Sequence, residues 1–210
     1  MSRAAPYDRD KTLDAAMALF WDKGYHATSL KDLEAALKMK PGSIYAAFKS
    51  KENLYLLALD RYFETSRNRF RKMIAQSDSP LRGLAEHLRA YAALTEDDAA
   101  RQACMLTKTI VDTRSTDSEI ADRSRQHLKA MRLEISKAFE AAVNKKELSP
   151  GTDASRLARR YQANLTALRL ELHQGMDQSE LHDLAEDMAC ELETLRVRKK
   201  ITPAKAQVRR

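Results

Sequence analysis

Hydrophobic residues recur every three or four positions along most of this chain, which is the spacing of helices that bury one face. The pattern predicts helices over residues 8–23, 29–37, 41–48, 50–75, 81–94, 101–111, 120–143, 153–174 and 179–197. Most prolines and glycines fall between these segments or at their ends, and no alternating pattern typical of strands appears. The sequence therefore predicts an all-α protein.

The second and third predicted helices are short and are separated by a tight turn. Ser29 is a natural N-cap, and Asp32 lies where an acidic side chain can complete a capping box. Pro41 suits the first turn of the next helix, where Ile44 and Phe48 share one side and small or polar residues face outward. A short helix supported in this way has the shape that enters a DNA major groove. The pair is interpreted as a DNA-reading helix-turn-helix.

Four short blocks occur in order around this pair, at Ala16 to Phe20 with Gly24 and Tyr25, at Thr28 to Leu30, at Gly42 to Tyr45 with Phe48, and at Lys51 and Glu52 with Leu54 and Tyr55. With these blocks, residues 8–57 resemble the N-terminal domain of the TetR family of bacterial transcriptional repressors. One position departs from the family, which usually has glycine where this chain has Lys38. A left-handed lysine there costs about 1 kcal/mol relative to glycine.

The resemblance implies how the chain is organised and what it does. It implies an N-terminal three-helix helix-turn-helix domain over residues 1–49, a helical ligand-binding and dimerisation domain over 50–197, and a basic tail over 198–210. It further implies a homodimeric repressor on a palindromic operator in double-stranded DNA. A small molecule, or an oxidant or electrophile, would release it, although the sequence does not identify that effector.

Candidate DNA contacts divide into phosphate contacts and base contacts. Phosphates would be met at a helix N-terminus, by a phenol and by a lysine, at Thr28, Ser29, Tyr45 and Lys51. Bases would be read from the surface that faces the groove, at Lys40, Pro41, Gly42, Ser43 and Ala46. The tyrosine could instead be a core aromatic and Lys51 a solvated surface residue; the resemblance favours the DNA role for both.

The last two predicted helices carry regular apolar stripes, and the resemblance implies that they form a four-helix interface with a second subunit. The interface candidates are Leu165, Leu168, Leu172, Leu181, Leu184, Met188 and Leu192. The alternative is that these stripes close the core of a single subunit.

Candidates for an effector pocket lie on the middle helices, where the resemblance places a small-molecule site. They are His87, Leu88, Tyr91, Cys104, Met105, Met131, Phe139 and Tyr161. Ordinary core packing is the alternative for each of them. The two best polar candidates are His87 and Tyr91, because they lie one turn apart on an otherwise apolar face.

Cys104 is a candidate sensor of oxidants or electrophiles. Arg101 precedes it by three residues and Lys108 follows it by four, so a continuous helix would bring both cations to its face. Cations and a helix N-terminus both favour the reactive thiolate. The alternative is a small buried hydrophobe, and Cys190 is expected to be inert packing on the dimer helix.

Composition narrows the function only modestly. The net charge of +7 equals the excess of cations over residues 196–210, so the DNA prediction rests on the motif rather than on charge. No apolar run spans a membrane and no signal-peptide core precedes the first helix, so a cytoplasmic protein without a membrane partner is expected.

No catalytic or metal-binding constellation is recognisable. The histidines include no pair at metal-ligand spacing, and there is no phosphate loop or nucleophile elbow. The chain is therefore expected to be neither an enzyme nor a carrier of a metal or cofactor. Three alternatives remain: an architectural DNA-binding protein without an effector, an all-α enzyme, and a membrane-surface protein whose tail binds anionic lipid.

Overall fold

The computed structural model describes residues 7–94 and 103–197. Over these residues the chain forms nine α-helices and no strand, which confirms the all-α prediction: α1 (Arg9–Lys23), α2 (Leu30–Leu37), α3 (Pro41–Phe48), α4 (Lys51–Ala75), α5 (Pro80–Ala92), α6 (Met105–Thr113), α7 (Ser118–Asn144), α8 (Ala154–Gln174) and α9 (Gln178–Thr194). Arg101 and the predicted basic tail lie outside the described residues.

The helix boundaries largely follow local chemistry. Asp8, Ser29, Ser50, Ser79 and Asp153 each stand before a helix and accept a hydrogen bond from a backbone N–H of its first turn. The predicted start of the sixth helix is wrong, because α6 begins at residue 105 and the residue before it is an N-cap without a side-chain cap.

The three N-terminal helices pack on the first half of α4. Phe20 from α1, Leu33 from α2, and Ile44 and Phe48 from α3 are almost fully buried in one core with Tyr55 of α4. The rings of Phe20 and Tyr55 meet edge to face, with 4.7 Å between their centroids. This core fixes α3 as a rigid projection from the long helix.

The remaining helices form the body of the molecule. Phe70 of α4, Leu84 of α5 and Phe139 of α7 are buried in a second core, which also includes residues of α8 and α9. A third core lies between α5, α8 and α9 and includes Leu168 and Leu181. The body therefore surrounds the second half of α4 on several sides.

The C-terminal end of α1 is tied to the chain around the start of α6. The indole Nε1 of Trp21 donates to the carbonyl of Ala103 at 2.7 Å. The Lys108 ammonium donates to the carbonyls of Trp21 at 2.8 Å and Asp22 at 3.3 Å. Because a helix C-terminus favours a cation, this lysine also stabilises the last turn of α1.

The structure corrects most of the predicted dimer interface. Five of the seven candidates are buried in this chain's own core: Leu165, Leu168, Leu172, Leu181 and Leu192. The most continuous apolar stripes face inward because burying the largest apolar area stabilises the folded subunit most. Leu184 and Met188 are only half-buried, and Leu170 and Leu195 are exposed.

Candidate functional site

The turn between α2 and α3 has the left-handed backbone that usually favours glycine. Lys38 ends α2 at φ 52° and ψ 39°. Pro41 then opens α3 after Lys40, which supplies no side-chain cap. Burial of Ile44 and Phe48 against the first core directs the opposite side of α3 toward solvent.

That solvent-facing side carries the predicted DNA-reading residues. The phenol side chain of Tyr45 is 46% exposed, so it is not a core aromatic. The remaining groove-facing candidates are exposed or half-buried: Lys40, Pro41, Gly42, Ser43 and Ala46. A Cβ placed on Gly42 would meet no atom within 4 Å, so packing inside the chain does not require glycine at this position.

The N-terminus of α2 is closed by a complete capping box. Ser29 Oγ accepts from the Asp32 backbone N–H at 3.1 Å, and the Asp32 carboxylate accepts from the Ser29 backbone N–H at 2.8 Å. Lys23 bonds the same carboxylate at 2.6 Å and, with the Ser29 hydrogen bonds, holds the pKa of Asp32 well below its usual range. Ser29 itself is exposed at this helix end.

The prediction that Thr28 contacts phosphate is corrected. Its side chain is fully buried, and its hydroxyl donates to the carbonyl of Gly24 at 2.7 Å. The residue therefore joins α1 to α2. A threonine immediately before an N-cap serine gives no indication in the sequence of which of the two hydroxyls points outward.

Lys51 begins α4 beside this surface. Its ammonium lies over the ring of Tyr25, 4.6 Å from the centroid. Partial burial lowers the pKa of Lys51, and the charges of Asp117 and Asp32 oppose that effect. The lysine is thus held at a helix N-terminus, where backbone N–H groups also favour an anion.

A cavity of about 360 Å³ lies within the body, between α4, α5, α7 and α8, with the end of α1 and the start of α6 closing one side. Trp21, Phe63, Met131 and Ile135 contribute apolar wall. Its polar lining includes Ser66, His87, Cys104, Gln162, Thr166 and Arg169.

The structure brings together only part of the predicted pocket. His87, Tyr91, Cys104 and Met131 line the cavity, whereas Leu88, Met105, Phe139 and Tyr161 do not. Leu88 lies on another side of α5, in a groove toward α9, and Met105 packs in the N-terminal core. Phe139 and Tyr161 are buried in the second core. Leu165, predicted for the dimer interface, lines the cavity instead.

His87 is held neutral. The Tyr161 hydroxyl donates to the Leu84 carbonyl at 3.0 Å and lies 2.7 Å from His87 Nδ1. Because the hydroxyl proton is already used, Nδ1 is the donor and Nε2 is left as an acceptor. Burial, with the charges of Arg169 and Arg69, lowers the pKa of His87 to about 4.

Arg169 was not among the residues predicted for the pocket, although it is the most buried charged residue that lines the cavity. It is 9% exposed, and its guanidinium carbon lies 5.7 Å from the centre of the Tyr91 ring. Burial alone would lower its pKa, but Tyr62, Tyr91 and Cys104 outweigh that effect and raise the pKa. The available signal was its position, four residues after Leu165 and three before Leu172 in an inward-facing stripe.

Cys104 lies at the same wall. The Tyr62 hydroxyl donates to its Sγ at 3.7 Å. Burial alone would raise the pKa of the Cys104 thiol, but the charge of Arg169, the Thr107 backbone N–H and Tyr62 together lower it. The predicted role of Lys108 is wrong, because that ammonium bonds carbonyls of α1 rather than serving the thiol.

The other cysteine does not match its expected role within the subunit. Cys190 is exposed rather than packed, and its thiol donates to the Glu186 carboxylate at 3.1 Å. That hydrogen bond raises the pKa of the Cys190 thiol.

Among the helices formed by residues 7–94 and 103–197, none combines the length and the apolar character that a membrane span needs. The same residues contain no cluster of three or more metal-ligating side chains.

An exposed helix-turn-helix on a helical body defines a class of DNA-binding transcriptional regulators. Residues 13–58 match the model described as "Bacterial regulatory proteins, tetR family", and residues 80–189, more than half of the chain, match "Tetracyclin repressor-like, C-terminal domain". The chain belongs to the TetR family of DNA-binding transcriptional regulators.

Individual relatives agree with that assignment. The chain is 28% identical over 187 residues to the HTH-type transcriptional repressor ComR of Escherichia coli, covering 88% of this chain and 89% of ComR. A cysteine-substituted variant of the TetR-family regulator CifR, solved with a 26-base-pair operator DNA, is 27% identical with a TM-score of 0.76, covering 90% of this chain and 98% of that one. A TetR-family regulator from Cytophaga hutchinsonii, 19% identical, shares the fold with a TM-score of 0.78 over 91% of this chain and 96% of its own.

Proposed function

We propose that this chain is a homodimeric repressor, bound to a palindromic operator and released when a small molecule occupies the cavity. The observation that carries the proposal is the position of Trp21. Its side chain lines the cavity, while its helix, α1, belongs to the core that supports α3. Its indole also donates to Ala103 across the junction. A ligand against this indole therefore acts directly on the helix-turn-helix domain.

The DNA side of the proposal rests on the exposed face of α3. Tyr45 and Lys51 are the proposed phosphate contacts, with Ser29 at the end of α2. The proposed base-reading surface is formed by Lys40, Pro41, Gly42, Ser43 and Ala46. The open space at Gly42 suits close approach of the backbone to DNA. The repressor ComR and the operator complex of CifR support the same role.

The dimer would form through the outer face of α8 and α9. On α9 that face includes Leu184, Met188 and Leu195, and on α8 it includes Leu170. Alanines at 163 and 167 are exposed on α8, so a partner helix can approach closely. Two copies related by a two-fold axis match a palindrome, because each helix-turn-helix reads one half-site.

The operator test begins with selection from a random-sequence duplex library, followed by footprinting of the enriched sequence. We expect a palindrome. Lys51→Ala should then lower the slope of log affinity against log salt by about one. Tyr45→Phe should weaken binding by about fivefold through the lost phosphate hydrogen bond. Lys137→Ala is the matched control, since this lysine is exposed on α7 and pairs with Glu134.

The outcome also separates the alternatives. Wild-type affinity in both variants would refute the assignment of these two residues. Binding without any enriched palindrome would instead favour an architectural DNA-binding protein. The proposed function requires no cofactor and no catalytic step.

A covalent route to release is the second candidate, and the lining position of Cys104 favours it. Hydrogen peroxide would react by attack of the thiolate on one oxygen, which breaks the O–O bond and gives a sulfenic acid; the other oxygen leaves as hydroxide and takes a proton from solvent to become water. Peroxide should then release wild-type protein from DNA, and Cys104→Ser should abolish that release without weakening operator affinity. Cys190→Ser is the control and should respond like wild type. Release of the Cys104→Ser variant by peroxide would eliminate this route.

A further inference from the structure

We propose that the ligand of the cavity is a small organic anion whose acidic group pairs with Arg169. This inference rests on the proposed function, in that the cavity is taken as the effector site. Its basis is Arg169, a lining residue of the cavity that is only 9% exposed. A planar array of N–H donors matches the oxygens of a carboxylate or sulfonate.

The charge of the cavity wall favours an anion over a cation. Among the described residues, the lining includes the positive side chains of Arg69 and Arg169 and no aspartate or glutamate. The imidazole of His87 adds no charge at neutral pH, because its pKa is lowered to about 4. An entering carboxylate would be compensated by a buried guanidinium, whereas an entering ammonium would be desolvated beside one.

The arrangement of the wall also indicates the shape of the ligand. Gln162, Thr166 and Arg169 follow one another along a face of α8 and give that side of the cavity a polar surface. Gln162 Nε2 donates to the Leu128 carbonyl at 3.0 Å and the Thr166 hydroxyl to the Gln162 carbonyl at 2.8 Å, so the preference for an anion is assigned to Arg169. Trp21 of α1 and Met131 of α7 line the same cavity with apolar surface. The ligand is therefore expected to combine one acidic group with a compact aromatic or aliphatic body, which suits a cavity of about 360 Å³.

A matched pair of fluorescent probes tests this inference on the protein without DNA. The anion 1-anilinonaphthalene-8-sulfonate and the uncharged N-phenyl-1-naphthylamine differ only by the sulfonate. We expect the anion to bind at least about tenfold more tightly, since a charge-assisted hydrogen bond distinguishes the two. Equal affinity, tighter binding of the uncharged probe, or binding of neither probe would overturn the inference.

Variants locate the preference at the guanidinium. Arg169→Gln should reduce the preference for the anion to within about twofold, while Arg169→Lys keeps the charge and should retain part of it. Arg159→Gln is the control, because this arginine is exposed on the same helix and lines no described cavity. A full preference in folded Arg169→Gln would overturn the proposal. If Arg169→Gln does not fold by circular dichroism, the Arg169→Lys variant and the wild-type probe pair decide.

The same probes distinguish this inference from the proposed function. Operator release is measured separately, by fluorescence anisotropy of labelled operator. Binding of the anion that depends on Arg169 but does not release DNA would leave the inference standing and refute induction through the cavity. Release by the uncharged probe alone would support induction and refute the anionic ligand.

Discussion

The helix-turn-helix presents its polar groups to solvent, whereas the cavity of the body encloses its own. Tyr45 on α3 is 46% exposed, while His87 and Arg169 in the cavity wall are 5% and 9% exposed. Charges on an exposed surface are screened by salt, so DNA affinity must be divided among many contacts. A single buried charge discriminates strongly between ligands, because water cannot compensate the wrong partner. In the proposed function, binding to DNA is thus distributed over a surface, whereas the choice of effector is concentrated in a few residues.

The largest expected effect tests whether the exposed helix-turn-helix can bind the operator without a second subunit. Met188→Glu places a charge on the half-buried apolar face of α9, which should cost several kcal/mol if a partner covers it. Sedimentation should show dissociated subunits, and operator affinity should fall by more than about 100-fold. If the monomeric variant bound the operator like wild type, DNA affinity would not depend on contacts from two subunits.

A second apolar position controls for the introduced charge. Leu133 is 56% exposed on α7, so Leu133→Glu should leave both the oligomeric state and operator affinity unchanged. A fully dimeric Met188→Glu protein would show that the subunits meet through a different face.

The second effect concerns His87, a buried polar group, and tests how strongly the cavity wall differs from the exposed surface. Folding lowers the pKa of His87 from 6.5 to about 4, so between these pH values the unfolded chain binds more protons. The contribution of the neutral His87 imidazole to the free energy of unfolding is complete above pH 6.5 and is lost as pH falls toward 4. Relative to His87→Asn, wild type should lose about 2 kcal/mol of unfolding free energy between pH 7.5 and pH 5.

Urea unfolding at the two pH values, at fixed protein concentration, measures this difference. His173→Asn is the control, because His173 is exposed at the end of α8 and its replacement should preserve the wild-type pH dependence. A difference between wild type and His87→Asn that does not change with pH would show that the His87 imidazole is not held neutral.

The smallest effect concerns backbone strain, which is found at two lysines near the proposed DNA-reading surface. Lys38 is left-handed, and Lys49 has φ 67° and ψ −53° within a tight turn in which the Ser50 N–H donates to the Phe48 carbonyl at 2.8 Å. That second conformation lies outside the left-handed helical region and is the more strained. Lys38→Gly should stabilise the protein by about 1 kcal/mol, and Lys49→Gly by somewhat more.

Thermal unfolding measures both changes, and Lys31→Gly supplies a control of opposite sign. Lys31 is exposed within α2, so glycine there should destabilise by about 1 kcal/mol. Destabilisation by Lys49→Gly would show that this turn carries no strain that glycine relieves.

The exposed region was the more predictable from sequence because its determinants are local. Ser29 and Asp32 close the capping box across three residues, and Pro41 opens the next helix beside its own N-cap. These interactions require no knowledge of which helices meet. The exception is Thr28, whose burial depends on how α1 and α2 pack rather than on its neighbours in sequence.

The cavity and the dimer face depend on packing between distant segments. Tyr62 meets Cys104 across 42 positions, and His87 meets Tyr161 across 74. Periodicity identified which residues of α8 and α9 share a face, but not which face a partner covers. Arg169 interrupts the apolar stripe of α8 and was the informative residue. A charged side chain on a buried face is costly unless it is compensated there, so its presence indicates a polar site inside the body.

The chain contains a single tryptophan, and it stands at the junction between the two regions. Indole emission responds to its hydrogen bond and to its surroundings, and Trp21 both donates to Ala103 and lines the cavity. The protein therefore carries an intrinsic fluorescent reporter at the point where the proposed ligand site meets the helix-turn-helix domain. Stopped-flow emission, recorded beside the anisotropy of labelled DNA, gives the order of the two events. An emission change that precedes loss of DNA identifies the junction around Trp21 as the first part of the molecule to change.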